Sequence, residues 1–233
     1  MARRFHVDQV HPGENHLGRE ASHHAVNVLR LGTGDAVELF DDTGNTGQGE
    51  ITSTNDSAVT VKIDTIKAHA SSVGIHIASA VPKGSRADWI IEKLSELGVT
   101  RFTPLATERA VVLPEGTGKR DRWQRIAEEA ARQSARPGVM QIDPLTPLDR
   151  VLEGQPGFFG STATPAHPLS SVLGHAGEVT ILIGPEGGWT DGEIARMTAK
   201  GWRAVTFGPT VLRVETAAIA AAVIGVHWCE MTK

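Results

Sequence analysis

The chain has 233 residues, 40% of them hydrophobic and 21% charged, enough for one large domain or two unequal ones with a sizeable core. No run approaches the ~18 to 20 apolar residues of a membrane helix, and the single Cys229 excludes an intrachain disulfide framework or a multi-cysteine zinc site. A net charge of −4 argues at first against nucleic acid, yet residues 71–140 carry 11 basic against 8 acidic side chains, so positive charge gathers in the middle third.

The N-terminus opens with Arg3 and Arg4, but Asp8, Gln9 and His11 fall where a signal peptide needs its apolar stretch, so a cytoplasmic location is expected. The first seventy residues read as short strands with Gly/Asp/Asn turns. Ala36–Phe40, Gly49–Ile51 and Ala58–Ile63 alternate apolar and polar residues, and one short helix is expected over Arg19–Leu29. This predicts a small β-barrel or sandwich. The small, polar stretch Lys67–Gly74 separates it from the rest of the chain, which gives domains at 1–72 and 73–233.

From Ile75 the pattern changes to strands alternating with helices. A strand over Ile75–Val81 leads to a helix capped by Ser85, with Trp89, Ile90, Leu94 and Leu97 at helical spacing and Gly98 as its stop. Arg101–Ala106 is the next strand, and Arg120–Arg136 a helix burying Trp123, Ile126, Ala127, Ala130 and Ala131. Further strands are expected at Gly157–Gly160, Val179–Ile183 and Ala204–Phe207. Thr190 and Glu193 form a capping box for a helix that ends at Gly201, and Glu215–Trp228 closes the chain as a buried helix. The alternation predicts a mostly parallel α/β sheet, whose ligands sit beyond the carboxyl ends of the strands.

Two segments carry chemistry. Ile181–Thr190 delivers a strand into Gly184-Pro185-Glu186-Gly187-Gly188, a loop that backbone-seeking ligands can approach closely, although a tight strand-to-helix turn needs glycines too. Phe207–Ala217 repeats the theme with Gly208-Pro209, and the two strands, taken as neighbours, point to one shared pocket. Arg213 stands at the mouth of an apolar helix and is assigned to function; Glu215 there reads as a salt-bridge partner or helix-terminus acid. Gly116-Thr117-Gly118-Lys119-Arg120 lacks the first glycine and the Ser/Thr of a phosphate loop. His16, His23 and His24 have no metal-ligand spacing, and no metal is expected. The grouped cations Lys83, Arg86, Lys93, Arg109, Lys119, Arg120, Arg122, Arg125, Arg132 and Arg136 suit a phosphate backbone.

In order and spacing, the glycine loops followed by Leu212-Arg213-Val214-Glu215-Thr216-Ala217 resemble the RsmE-type ribosomal RNA uridine-N3 methyltransferases of the SPOUT superfamily. The likeness extends through Val81-Pro82-Lys83-Gly84, Glu92–Val99, Glu108-Arg109, Gln133-Ser134-Ala135-Arg136 and Val28-Leu29-Arg30-Leu31, with Ala135 where the family pattern has glycine. It implies an α/β fold: a SPOUT-type domain with a trefoil-knotted parallel sheet, preceded by a small PUA-like β-barrel that binds RNA. It further implies S-adenosyl-L-methionine (SAM) as cofactor, held by Ser161, Thr162, Gly184, Glu186, Gly187, Gly188, Gly208, Leu212, Arg213, Thr216 and Ala217. Arg213 is the catalytic candidate, and Arg30, Lys83, Arg86, Arg109 and Arg136 are candidates for 16S rRNA or the small ribosomal subunit. The likeness also implies a homodimer in which each site is completed across the interface. A related methyltransferase of another RNA and a non-catalytic assembly factor are the alternatives.

Overall fold

The computed structural model describes residues 3–55, 58–68, 74–114, 116–162, 165–174 and 177–231. The chain divides into two compact units, Met1–Ser71 with Glu128–Val139, and Ser72–Ala127 with Met140–Lys233. The expected boundary at residues 72/73 lies outside the described residues.

In the first unit, β1 (Arg4–His6), β2 (Gly13–His16), β3 (Ala36–Phe40), β4 (Asn45–Asn55) and β5 (Ala58–Ala68) form one sheet in the order β1-β3-β4-β5-β2. The expected barrel takes the form of a five-stranded sheet whose edge strands β1 and β2 do not pair with each other among the described residues. Strict alternation puts Val59, Val61 and Ile63 of β5 into a core with Phe5, Leu39 and Ile51, and turns Lys62 outward. The expected helix forms as α1 (Arg19–His23), which continues as a π-helical turn over His24–Val28. No spacing rule reveals that wider turn.

In the second unit the elements are β6 (Ile75–Ser79), α2 (Arg86–Leu97), β7 (Arg101–Ala106), α3 (Thr117–Gln133, of which the part from Glu128 belongs to the first unit), β8 (Gln141–Ile142), β9 (Thr146–Pro147) and α4 (Leu148–Val151). They are followed by β10 (Phe158–Gly160), β11 (His167–Pro168), α5 (Leu169–Val172), β12 (Val179–Ile183), α6 (Asp191–Ala199), β13 (Arg203–Thr206) and α7 (Val214–Met231). The sheet runs β11-β13-β10-β12-β6-β7-β8, with β9 beside β7, and every pairing is parallel. Central strands of such a sheet are covered on both faces. All five residues of β6 are accordingly buried.

Local signals hold in most places. Gly98, left-handed at φ 99°, ends α2, and both bonds of the Thr190–Glu193 capping box are present at α6. Ser85 stands at the start of α2, but its side chain makes no capping bond. Trp89 is 44% exposed, because Ala87, Ile90, Ile91 and Leu94 form the buried stripe and residue 89 projects about 100° away from it. Near the end of α3, Arg136 N–H bonds to Ala131 O at 3.1 Å, which puts Ala135 in the left-handed position of a Schellman closure at φ 57°. Glycine takes that conformation freely, and alanine there stores strain of about 1 kcal/mol.

The amino-terminal half of the second sheet holds a buried polar chain. His76 Nε2 lies 2.7 Å from Thr103 Oγ1, Thr103 donates to Asp143 Oδ2, and Arg101 Nε donates to the same oxygen at 2.7 Å. Because the Thr103 proton goes to Asp143, the His76 Nε2–H must be the donor to Thr103, and Nδ1 accepts from Thr180, 3.3 Å away. Both ring nitrogens of a neutral imidazole are thus engaged. Burial, and then the Arg101 charge, push the His76 pKa down to about 4 against the Asp143 carboxylate, which raises it. An unfolded chain therefore takes up this proton first. Stability is complete above pH 6.5 and falls toward pH 4 at up to about 1.4 kcal/mol per pH unit; urea midpoints across that window should show it, and His76→Gln should flatten the curve.

Candidate active site

Three loops leave the carboxyl ends of neighbouring strands. The glycine loop after β12 and the Gly-Pro loop after β13 were expected side by side; in the sheet β10 runs between them, so the loop that begins at Ser161 is the middle wall. Ser161 N–H bonds to Val205 O of β13 at 2.9 Å.

Aromatic rings lie directly against two glycines of these loops. A Cβ on Gly184 would sit 2.8 Å from Trp189 Cε2, and one on Gly160 would sit 2.7 Å from Phe207 Cε2. The Trp189 indole N–H also donates to Gly160 O at 2.8 Å. The three loops are therefore tied to one another through the Phe207 ring on Gly160 and the Trp189 hydrogen bond to the same residue. At Gly188 and Gly208, by contrast, a Cβ would meet nothing within 4 Å. Their backbone faces open space.

Within the β12 loop, Gly188 N–H closes a turn onto Pro185 O at 2.9 Å. Glu186 N–H, Gly187 N–H and the carbonyls of Gly184 and Glu186 have no partner among the described residues. These are ligand-ready donors and acceptors on a loop without bulky side chains. The loop passes into α6 through the capping box, where Thr190 N–H donates to Glu193 Oε2 at 2.8 Å and Glu193 N–H to Thr190 Oγ1 at 3.2 Å. Glu193 is 1% exposed, and its second oxygen accepts from Glu108 N–H at 2.9 Å.

A family model for the RNA methyltransferase domain matches residues 69–225, and one for the RNA methyltransferase PUA domain matches residues 17–64. The chain is 31% identical to the ribosomal RNA small subunit methyltransferase E of Bacillus subtilis, over 87% of this chain and 85% of that protein. It is 32% identical to the protein of the same name from Synechocystis, over 84% and 67%. A crystal structure of a ribosomal RNA small subunit methyltransferase E from Neisseria gonorrhoeae, bound to S-adenosyl methionine, superposes with a TM-score of 0.85 at 29% identity, covering 95% of each chain. The chain belongs to the ribosomal RNA small subunit methyltransferase E family. The methyltransferase E family brings with it the enzyme class, RNA methyltransferase, and the SPOUT-type α/β fold with its PUA-like first domain.

Seen against the methyltransferase E pattern, the predicted residues separate. Ser161, Thr162, Gly184, Glu186, Gly187, Gly188 and Gly208 lie on the three loops, Leu212 and Arg213 lead into α7, and Thr216 and Ala217 lie in its first turn. Ala163 and Thr164 of the middle loop lie outside the described residues. The Arg213 guanidinium is exposed and has no partner among the described residues, and its carbonyl accepts from Ala217 N–H at 2.8 Å. Glu215 is 7% exposed, with Oε1 3.2 Å from Arg86 Nη1 and Oε2 buried without a partner among the described residues. The salt-bridge reading of Glu215 holds.

Of the candidate RNA contacts, Lys83 and Arg30 are exposed and unpartnered among the described residues. Arg86 is tied to Glu215, and Arg109 Nη1 donates to Gly187 O at 2.8 Å and Trp189 O at 3.3 Å. Arg136 is half-buried in the first unit, and burial brings its guanidinium down to about 10. Charge counting could not separate these cases, because it does not register which cations carbonyls and carboxylates take up. A cleft of about 350 Å³ lies elsewhere, between Pro104, Asp143 and the start of α3 at Thr117 and Arg120. Among the described residues no group of three or more His, Cys, Asp or Glu could hold a metal ion, and no helix is long and apolar enough to cross a membrane.

Gly184→Ala drives a methyl into the Trp189 ring. It should lower unfolding stability by about 1–3 kcal/mol in urea titration, and Trp189→Phe, which keeps the ring but loses the bond to Gly160, by about 1 kcal/mol.

Proposed function

We propose that this chain uses S-adenosylmethionine to methylate N3 of a uridine in 16S, small-subunit, ribosomal RNA. The observation that carries this reading is the cradle of three tied loops, in which Gly188 and Gly208 turn bare backbone toward open space. The residues fit such a cofactor: unpaired amides and carbonyls of residues 184–187 match the edge of an adenine, and the half-buried Leu212 offers an apolar wall. When bound, S-adenosylmethionine supplies an electrophilic methyl group on a sulfonium centre.

The protein's part is to bind, orient and handle charge. Uridine N3 holds its proton at neutral pH, and its loss puts negative charge on the two flanking carbonyl oxygens. Arg213 stabilises that charge: its guanidinium is unpaired among the described residues, planar and always protonated, which also bars it from accepting the proton. Of the two candidate carboxylates, Glu215 is buried and paired with Arg86, whereas Glu186 is exposed and has no partner among the described residues. The proton passes to Glu186 or directly to water. Lys83 and Arg30 hold phosphates of the RNA, and a ribosomal substrate places the enzyme in the cytoplasm.

The apolar helix α7 bears a stripe at Thr216, Ala220, Val223, His227 and Met231 that stays partly or fully open, with Val223 46% and Met231 67% exposed. A second copy of the chain covers it. The same C-terminal region threads the knot that the SPOUT likeness implies, and Thr216 joins the dimer surface to the cofactor site.

Arg213→Ala should reduce methyl transfer to small-subunit RNA at least about 100-fold, with a melting temperature close to that of the parent because the side chain is exposed. Nucleoside mass spectrometry should find 3-methyluridine in the product. A methylated nucleoside in tRNA or large-subunit RNA instead would redirect the target, and failure to bind the cofactor at millimolar concentration would favour the assembly factor. For the second copy, Val223→Arg should shift sedimentation from dimer to monomer.

A further inference from the structure

Arg109 has the profile of an RNA contact in the sequence, but its guanidinium is taken up within the protein. It bonds to the carbonyls of Gly187 and Trp189, and its methylene stem packs on Gly187, where an added Cβ would meet Arg109 Cβ and Cδ at 3.4 Å. The neighbouring residue reinforces the contact. Glu108 N–H donates to Glu193, and the Glu108 carboxylate pairs with Arg196 at 3.1 Å, which holds it below the usual carboxylate range. The turn after β7 thus reaches past β6 to grip the segment from Gly187 to Arg196, beyond β12.

The grip is specific about peptide planes. In the 187–188 peptide the oxygen is held by Arg109 and the N–H by Pro185 O; in the 189–190 peptide the oxygen is held by Arg109 and the N–H by Glu193. Both planes are fixed from both sides, and the unpaired groups of residues 184–187 keep their directions as a result. Three glycines in five residues would otherwise leave the loop many conformations, and a ligand would have to select one of them at a cost in affinity.

We propose that Arg109 is a positioning residue for the cofactor: its Nη1 group, shared between two carbonyls, holds the β12 glycine loop in the form that receives S-adenosylmethionine. The proposal rests on the cofactor reading above. Lysine replaces it only in part, because its freely rotating ammonium does not hold two donors in the plane that the guanidinium fixes.

The test is calorimetric titration of S-adenosylmethionine into the wild-type protein, R109A and R109K, with steady-state kinetics and amide hydrogen exchange of the cofactor-free proteins. R109A should bind the cofactor about tenfold more weakly, raise KM for it while kcat stays within about threefold, and speed exchange at residues 186–190. R109K should recover only part of the affinity, and RNA affinity with its salt dependence should be unchanged. Wild-type cofactor affinity in R109A would overturn the proposal; combined with weakened RNA binding, it would make Arg109 a phosphate contact. Should R109A not fold, R109K decides, since unchanged affinity and exchange there also overturn it. A wild-type protein that binds no cofactor removes the reading beneath the proposal, a result distinct from normal wild-type binding with an indifferent R109A.

Discussion

An indole ring occupies the space where residue 184 would carry its side chain. The arrangement of the site depends on that substitution of a neighbour's ring for a missing Cβ. With Trp189 against Gly184, its N–H reaches Gly160 O, and with Phe207 against Gly160 the β13 loop closes on the same point. Each ring is anchored on the glycine of another segment or turn, so no loop is placed alone. Ring burial of this kind contributes apolar stabilisation at the carboxyl edge while leaving backbone groups bare. A site built from side chains would have had to fill that space.

The two ends of the α/β sheet treat polar groups in opposite ways. At the amino-terminal half, His76, Thr103, Thr180, Asp143 and Arg101 satisfy one another in a chain, and the imidazole stays neutral because burial, and then the Arg101 charge, disfavour a second proton. At the carboxyl edge, amides of residues 186 and 187 and the carbonyls of 184 and 186 are left open. Closure costs least where nothing is to be bound. Open groups stay hydrated until a ligand replaces the water.

Much of this was legible in the sequence wherever a local rule decides the outcome. Period-two alternation located β5, the Thr190–Glu193 spacing located the start of α6, and Gly98 located the end of α2. The clustering of glycines marked two of the loops that the structure brings to the carboxyl edge of the sheet, and the resemblance supplied Arg213 as a candidate. What stayed hidden depends on distant neighbours. The insertion of β10 between β12 and β13 follows from sheet order, which no spacing within the chain encodes. Trp89 matched a helical period but not the stripe that the rest of α2 buries. The bond from Arg109 to Gly187 spans 78 positions, and the only signal for it was the pairing of Glu108-Arg109 with the glycine loops in one family pattern.

The basic middle third illustrates the same limit in its electrostatics. Its excess of positive charge is consistent with RNA, but most of its cations are engaged: Arg86 by Glu215, Arg101 by Asp143, Arg122 by Asp88, Lys93 by Glu92 and Glu96, and Arg132 by Glu129. Lys119 lies over the Trp123 ring. Lys83, Arg120 and Arg125 remain without partners among the described residues. An engaged guanidinium gives up its existing bond to take a phosphate, whereas an unpaired one exchanges only water and counterions. The cations that can take a phosphate without giving up a bond are therefore those three side chains rather than the whole run, and Arg213 is likewise without a partner among the described residues.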